Sequence, residues 1–196
     1  MTKYRLNHDV VVNGAVELVN ERGAEALSLA ELAARFHVRT PSLYNHVQSL
    51  DGLRRDLSLV GLRTLSEQLQ AACTGLAGRD ALKALAAAYR TFAQSNPGLY
   101  PFTLRPASAN DEELRSAGAQ LTRFFQSALR GYKLQGDEAT QAMHAVRSAL
   151  HGFVALEGSG SLREGSDAGD ADASYNALVE LLDQGMARWG KQNERA

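Results

Sequence analysis

The stretch that decides the fold is Ser28-Leu-Ala-Glu-Leu-Ala-Ala-Arg-Phe-His-Val-Arg-Thr-Pro-Ser-Leu-Tyr-Asn-His-Val47. Ser28 and Glu31 have the spacing of a capping box. In that motif the hydroxyl accepts a hydrogen bond from the N–H three residues on, and the carboxylate accepts one from the N–H of the cap. Apolar residues then recur at helical spacing. They are Leu29, Leu32, Ala33 and Phe36. The pattern predicts a short helix with one buried face.

A tight turn and a second helix are predicted for the rest of the stretch. Within His37-Val38-Arg39 we expect a residue with positive φ, a conformation that His tolerates better than most non-glycine residues. Thr40 is predicted to cap the second helix, with Pro41 at its first position, where no N–H is needed. Leu43 and Val47 would then point inward. The outward residues would be Arg39, Thr40, Ser42, Tyr44, Asn45 and His46. Such a polar face suits the major groove of DNA.

The composition is that of an ordinary globular protein. The chain has 196 residues, of which 44% are hydrophobic and 22% are charged. It contains no apolar run of roughly 18 residues and begins with no apolar signal segment, so we expect a cytoplasmic location. Cys73 is the single cysteine, which excludes an internal disulfide and a metal site built from cysteine pairs. We expect no metal and no cofactor.

The charge is nearly balanced, which is unusual for a DNA-binding protein. The net charge of the chain is -1. Residues 1–55 carry seven Lys or Arg against six Asp or Glu, and residues 56–196 carry fourteen against sixteen. DNA contacts would therefore depend on a few cations together with hydroxyls, backbone N–H groups and helix N-termini. A basic arm at Lys3-Tyr4-Arg5 is a further candidate for phosphate or minor-groove contacts.

The rest of the chain predicts helices and no strands. Asn7 is expected to cap the first helix and Gly23 to end it with positive φ. The predicted helices after the quoted stretch lie at about 50–73, 80–95, 111–131, 137–156 and 173–189. Residues 99–106 predict a short helix or turn. The Gly-rich loop at 157–172 follows no strand and has no Gly-Lys-Ser/Thr, so it is not a phosphate-binding loop. The fold class is all-α.

The segment 40–47, preceded by 29–33, resembles the DNA-binding head of the TetR/AcrR transcriptional regulators. The resemblance implies a three-helix helix-turn-helix domain at 1–53, joined by a long fourth helix to a helical-bundle domain at 54–196 that dimerises and binds a ligand. It also implies the function, a ligand-responsive repressor released from a pseudo-palindromic operator when a small molecule binds. A dimer would place two recognition helices about one DNA turn, roughly 34 Å, apart.

The resemblance also implies roles for individual residues. Ser28, Thr40 and Tyr44 would contact phosphate, and His46 would either do the same or brace the helix. Arg39 and Ser42 would read base edges, and Asn45 could contact either a base or the backbone. Family members usually carry a phosphate-contacting lysine near the start of the fourth helix. Here Leu50 and Asp51 stand at that point, so Arg54 or Arg55 would replace it. The predicted DNA-binding residues are Ser28, Arg39, Thr40, Pro41, Ser42, Tyr44, Asn45, His46 and Arg54.

The segment 147–157 resembles the C-terminal domain of a TetR subgroup named for a Trp-His-Gly motif, of which His151 and Gly152 are present and Leu150 takes the Trp position. The predicted pocket residues are Tyr89, Phe92, Tyr100, Phe102, Phe124, Met143, His144, Arg147 and His151. The predicted dimer interface consists of Leu150, Phe153, Val154, Leu178, Leu182, Met186 and Trp189. His151 could face either the pocket or the core.

Two other functions stay open at this point. A helical enzyme or metal protein could use His144, His151 and Glu157, which have seven- and six-residue spacings. These are not the Glu-x-x-His or His-x-x-x-His spacings of bundle metal sites, and no catalytic motif accompanies them. We therefore expect no enzyme. A helical ligand-binding or interaction module that has lost DNA binding would explain the low basic excess, but the capped recognition helix argues against it.

Overall fold

The computed structural model describes residues 6–163 and 170–193 of the chain. Across these ranges it contains eight α-helices and no strand, which confirms the all-α prediction. The helices are α1 His8–Arg22, α2 Leu29–Arg35, α3 Thr40–Leu43, α4 Leu50–Cys73, α5 Gly78–Ser95, α6 Glu112–Leu129, α7 Gly136–Gly158 and α8 Ala171–Asn193. The predicted basic arm at residues 3–5 and part of the predicted loop, residues 164–169, lie outside the described residues.

Most predicted helix positions agree with the structure within a few residues. The short element expected at 99–106 is a 3₁₀ turn at Tyr100–Leu104, and the predicted fourth helix is α4. α3 is shorter than expected, since only Thr40–Leu43 is α-helical, although the Val47 N–H still donates to the Leu43 carbonyl at 2.9 Å. α8 extends beyond the predicted 173–189 at both ends. No helix in the described ranges is long and apolar enough to cross a membrane.

Both ends of α1 follow the local sequence. The Asn7 side chain accepts a hydrogen bond from the Val10 N–H at 2.9 Å, as an N-cap should. At the other end Gly23 has φ 88° and its N–H donates to a carbonyl of α1. A Cβ placed on Gly14 would lie 2.3 Å from the Phe36 ring. Glycine at this position therefore lets the aromatic ring after α2 pack directly on α1.

The chain divides into two compact units, and the first of them is built from two segments that are far apart in the sequence. The first unit comprises residues 6–64 and 96–118 of the described chain. The Asn20 side-chain oxygen accepts hydrogen bonds from the Gly98 and Leu99 N–H groups at 3.1 and 3.0 Å. A Cβ on Gly98 would lie 1.7 Å from a carbonyl oxygen of α1, so only glycine fits at this contact. The 96–118 segment is thereby fixed to α1.

The second unit comprises residues 65–95, 119–163 and 170–193 of the described chain. Aromatic residues fill its core, and the Tyr89 and Phe125 rings meet edge to face with centroids 6.0 Å apart. The buried Tyr132 hydroxyl donates to Asp183 at 2.6 Å and joins the turn after α6 to α8. Burial raises the pKa of Tyr132, so its hydroxyl remains a hydrogen-bond donor at neutral pH. The predicted functional division at residue 53 stays a prediction.

Candidate nucleic-acid interface

The N-terminus of α2 forms one half of the predicted capping box. The Glu31 N–H donates to the Ser28 hydroxyl at 3.1 Å, as predicted. The Glu31 carboxylate accepts from Arg22 at 2.7 Å and not, as the capping box would have it, from the Ser28 N–H. A charged partner is a stronger donor than a backbone N–H. Sequence spacing had identified the hydroxyl but not the competing arginine.

The turn between α2 and α3 has the predicted backbone conformation. His37 has φ 54°, and it is one of two non-glycine residues in the described chain with positive φ. The Val38 N–H donates to the Ala33 carbonyl at 2.9 Å, which closes the end of α2. This bond fixes the angle at which the chain leaves α2 and enters α3.

The N-terminus of α3 requires a correction to the predicted cap. Arg39, with extended backbone angles (φ -83°, ψ 143°), is the cap residue, and Thr40 is already the first helical residue. No side chain caps this helix with a hydrogen bond. Pro41 lies within the first turn, where its missing N–H costs nothing. The Thr40 hydroxyl therefore makes no capping bond.

The two faces of the α3 region agree with the sequence pattern. Leu43 and Val47 are buried, with 0% and 4% of their surface exposed. Tyr44 is 56% exposed, which is a large exposure for an aromatic side chain. Of the other predicted DNA-binding residues, the exposed ones are Arg39, Pro41, Asn45 and Arg54, and the half-buried ones are Ser28, Thr40, Ser42 and His46. The first unit thus presents a polar surface beside a helix anchored by apolar residues.

The arginines of the first unit fall into two groups. In its described part six arginines are ion-paired with carboxylates, and they are Arg22, Arg35, Arg55, Arg63, Arg105 and Arg115. Arg39 and Arg54 have no carboxylate within ion-pair distance among the residues that the structure describes, and both side chains are exposed. These two guanidinium groups are available to an external anion, and both were predicted to contact DNA.

The paired group is strongly held. Arg35 binds Glu17 at 2.7 Å and Glu21 at 2.8 Å, joining α2 to α1. Hydrogen bonds to Glu21 and then to Glu17 raise the pKa of Arg35, and the bond to Arg35 lowers the pKa of Glu21. Arg55 binds Asp111 through two nitrogens at 2.6 and 2.8 Å. That bidentate geometry makes Arg55 a structural residue of the first unit and leaves Arg54 as the candidate for phosphate contact.

The predicted pocket residues do not form one cluster. Tyr100 and Phe102 belong to the first unit, and the other seven belong to the second. Met143 is buried, Arg147 and His151 are half-buried, and His144 is exposed on α7, so the place of these four in a pocket stays a prediction. Phe124 lines a cavity of about 250 Å³ together with Cys73. Burial raises the pKa of the Cys73 thiol, so this cysteine is not an activated nucleophile.

A larger groove, of about 450 Å³, lies between α5 and α8 in the second unit. Sequence reasoning had not identified it. Arg90 is its central residue and binds Glu157 of α7 at 2.5 Å and Asp172 of α8 at 2.7 Å. The guanidinium also lies 4.8 Å from the centroid of the Tyr175 ring. Three helices are therefore joined through one arginine beside a groove whose size is typical of small-molecule sites.

The predicted dimer residues of α7 and α8 separate into two sets. Leu150, Val154 and Met186 are at most 5% exposed within the chain itself, so they belong to its own core and offer little surface to a second copy. The half-buried members are Phe153, Leu178, Leu182 and Trp189. Two apolar residues that the prediction missed are exposed: Leu156 (50%) and Leu181 (68%). Helical periodicity identified apolar stripes but could not tell which stripe faces the chain's own core.

Both halves of the chain match known protein families. Residues 11–57 match the family described as "Bacterial regulatory proteins, tetR family", and residues 82–182 match "Tetracyclin repressor-like, C-terminal domain". The second match alone covers about half of the chain. The chain belongs to the TetR family of transcriptional regulators.

Two curated relatives are both described as HTH-type transcriptional regulators. The chain is 35% identical to the "Uncharacterized HTH-type transcriptional regulator Rv0681" of Mycobacterium tuberculosis, over 94% of this chain and 83% of the relative. It is 34% identical to the "Uncharacterized HTH-type transcriptional regulator YobS" of Bacillus subtilis, over 77% and 78% of the two chains. Both relatives are named as HTH-type transcriptional regulators, which agrees with the family matches.

Solved structures agree in fold. A TetR variant from Acinetobacter baumannii AYE, solved in complex with minocycline, superimposes with a TM-score of 0.68 at 25% identity, covering 94% of this chain and 98% of that one. The TetR-type regulator SCO7222 of Streptomyces coelicolor superimposes with a TM-score of 0.71 at 15% identity, covering 93% and 98%. The second likeness shows the fold alone.

Proposed function

We propose that this TetR-family chain is a ligand-responsive repressor that binds a pseudo-palindromic operator as a homodimer and is released when a small molecule binds its second unit. The observation that carries the proposal is the α3 surface. The α3 surface consists of the exposed Arg39 and Tyr44 and the nearby hydroxyls around a helix fixed by Leu43 and Val47. The exposed Arg54 follows in α4, and neither arginine has a carboxylate within ion-pair distance among the residues that the structure describes. Because the protein would act on chromosomal DNA, a cytoplasmic location is part of this proposal.

The proposed DNA contacts divide by chemistry. Arg39 would read a guanine edge, where a guanidinium can donate two hydrogen bonds, and Ser42 would lie beside it. Tyr44 and His46 would bind phosphate, as would the Ser28 and Thr40 hydroxyls. Arg54 would supply a phosphate contact from α4. Asn45 could serve either base or backbone. Phosphate contacts position the protein, and base contacts select the sequence.

The proposed dimer interface uses the outer faces of α7 and α8. Leu156 and Leu181 are exposed there, and Phe153, Leu178, Leu182 and Trp189 are half-buried. A Cβ added to Gly152 or Gly185 would meet nothing within 4 Å in the chain itself. Glycine in a helix interior costs about 1 kcal/mol relative to alanine. Close approach of a second copy is a physical reason to keep glycine at both sites.

The proposed effector site lies in the second unit. Its groove of about 450 Å³ and its cavity beside Phe124 of about 250 Å³ are the candidates supported by shape. The minocycline complex of the Acinetobacter protein supports the general idea that a chain of this fold takes a small molecule. Coupling to DNA would follow if the ligand changes the spacing of the two recognition helices in the dimer.

The test is fluorescence anisotropy with labelled DNA from upstream of the protein's own gene, compared with a scrambled duplex. We expect salt-dependent binding of two subunits per site, with at least tenfold preference for the native duplex. The Arg39→Ala/Tyr44→Ala variant should lose about 100-fold in affinity while keeping the thermal stability of the wild type.

Equal binding of the native and scrambled duplexes would move the search to a genome-wide selection of bound fragments. If that selection also enriches no fragment, the chain is an interaction module that has lost DNA binding, which is the alternative function.

A further inference from the structure

The start of α4 carries a negative charge where the family resemblance leads one to expect a lysine. α4 begins at Leu50, and the Ser49 hydroxyl accepts from the Gly52 N–H at 3.0 Å. The Asp51 carboxylate is 72% exposed. This turn follows the α3 region by only a few residues, so DNA bound to α3 would bring phosphates near it. An exposed carboxylate there would repel them.

An arginine from a distant part of the sequence lies against this carboxylate. Arg105 donates to an Asp51 oxygen at 2.5 Å, across 54 positions in the sequence. The Arg105 side chain is 34% exposed, so it reaches solvent beside Asp51 and is not buried under it. The hydrogen bond to Arg105 and its positive charge hold the pKa of Asp51 below its usual range. Asp51 is therefore ionised at neutral pH, and Arg105 neutralises it.

The position of Arg105 is set by a well-anchored turn. Its N–H donates to the Phe102 carbonyl, at the end of the 3₁₀ turn Tyr100–Leu104. Within that turn the buried Thr103 hydroxyl donates to the Tyr100 carbonyl at 2.7 Å. A Cβ on Gly61 of α4 would lie 2.8 Å from the Thr103 methyl group, so the turn packs closely on α4. This packing holds the backbone that carries Arg105 near the start of α4. It does so independently of the ion pair between Arg105 and Asp51.

We propose that Arg105 is a second cation at the α4 N-terminus, beside Arg54: it neutralises Asp51 and directs its other N–H groups to the DNA backbone. The inference rests on the proposed DNA-binding function. An arginine has five N–H donors, and the bond to Asp51 uses one of them. DNA affinity then depends on where the 96–118 segment holds Arg105. A displacement of that segment would uncover the Asp51 charge and weaken DNA binding without changing the α3 surface.

The test compares four proteins: wild type, Arg105→Ala, Asp51→Asn and the double variant. Each is titrated into a labelled 30-base-pair duplex of random sequence across a salt series, and each is checked by thermal unfolding. A random duplex suffices because the phosphate contribution does not depend on sequence. Arg115→Ala is the matched control, since Arg115 belongs to the same segment but pairs with Glu112 in its own helix.

We expect Arg105→Ala to weaken DNA binding about tenfold. The slope of log affinity against log salt concentration should become shallower by about one, the contribution of one phosphate contact. The double variant should recover most of the affinity, because the uncovered carboxylate has been removed. Asp51→Asn alone should bind as well as wild type or more tightly, and Arg115→Ala should be unchanged.

Two results would overturn the inference while leaving the proposed function intact. One is wild-type affinity in Arg105→Ala, which would make the ion pair an ordinary surface contact. The other is a loss in Arg105→Ala that Asp51→Asn does not relieve. If the wild-type protein binds neither this duplex nor DNA from upstream of its gene, and the genome-wide selection enriches no fragment, the proposed function itself fails.

Discussion

Arginine serves opposite purposes in the α3 surface and in the groove of the second unit. In the groove, Arg90 is only 13% exposed and is bound by two carboxylates, one from α7 and one from α8. In the first unit, Arg39 at the start of α3 and Arg54 of α4 are exposed and have no carboxylate within ion-pair distance among the described residues. The same side chain thus acts as an internal connector in one region and as an available cation in the other.

The difference bears on the nearly balanced net charge of the chain. Most arginines in the described part of the first unit form ion pairs with carboxylates of that unit. The net charge of -1 therefore does not reveal that two arginines of that part lie outside such pairs. Counting charges along the sequence could not separate the two groups. DNA binding by this chain would depend on a few free cations, correctly placed, and not on an overall basic excess.

The largest expected effect comes from breaking the internal connector. Arg90→Met removes the cation between Glu157 and Asp172 and leaves the largely buried Glu157 carboxylate without its main partner. We expect a loss of about 3 kcal/mol in the free energy of unfolding, the usual result of leaving one member of a buried pair uncompensated. Denaturant unfolding of the purified protein at fixed protein concentration measures it.

A matched double variant sharpens this result. Arg90→Met/Glu157→Gln removes the stranded charge and should recover more than half of the lost stability. If Arg90→Met alone costs less than about 0.5 kcal/mol, as an exposed ion pair would, then Arg90 does not act as an internal connector and the comparison fails.

The smallest expected effect concerns His8, which forms ion pairs with neighbouring carboxylates only when it is protonated. His8 of α1 lies 3.0 Å from Asp56 of α4 and 3.4 Å from Asp9. Partial burial lowers the pKa of His8, but hydrogen bonds to Asp56 and Asp9 outweigh this and raise it above its usual value. Since the folded-state pKa is the higher one, the stabilisation is complete below the unfolded pKa and is lost as pH rises through the folded pKa.

The measurement is the free energy of unfolding of wild type and His8→Asn between about pH 5.5 and 8.5. His8 is 53% exposed, so its ion pairs are weakened by solvent. As the pH rises across this range, we expect the free energy of unfolding of wild type to fall by at most about 0.5 kcal/mol more than that of the variant. Parallel pH profiles for the two proteins would show that the contact contributes nothing. Arg55, Arg63 and Glu113 are the other charged residues that line the surface groove beside His8 in the first unit, and they are common to both proteins.

Local features of the fold could be predicted from the sequence, because their causes are local. The Asn7 cap, the Ser28 hydroxyl bond and the positive φ of His37 each depend on residues within four positions. Thr40 was wrongly predicted as a cap, because hydroxyl caps and first-turn hydroxyls occur one position apart and sequence alone does not fix the register.

Contacts between distant residues could not be predicted. Arg105 and Asp51 are 54 positions apart, and nothing in either local sequence marks them as partners. The capture of Glu31 by Arg22 is of the same kind, since it depends on how α1 packs on α2. Likewise, Leu150 and Leu156 are both apolar residues of α7, and only the three-dimensional structure separates the buried one from the exposed one.

The central claim is that Arg39 and Arg54, which have no carboxylate within ion-pair distance among the described residues, make the main arginine contacts to DNA, whereas an arginine such as Arg22, held in an ion pair away from the proposed interface, does not. It is tested most directly by measuring the affinity of Arg39→Ala, Arg54→Ala and Arg22→Ala for one duplex across a salt series. Arg22 is the matched control, because it is an exposed arginine of the same unit that pairs with Glu31. The account predicts about tenfold weaker binding for the first two variants, with a salt slope lower by about one for Arg54→Ala, and a change below about twofold for Arg22→Ala. Equal losses in all three variants, or no loss in the first two, would contradict it.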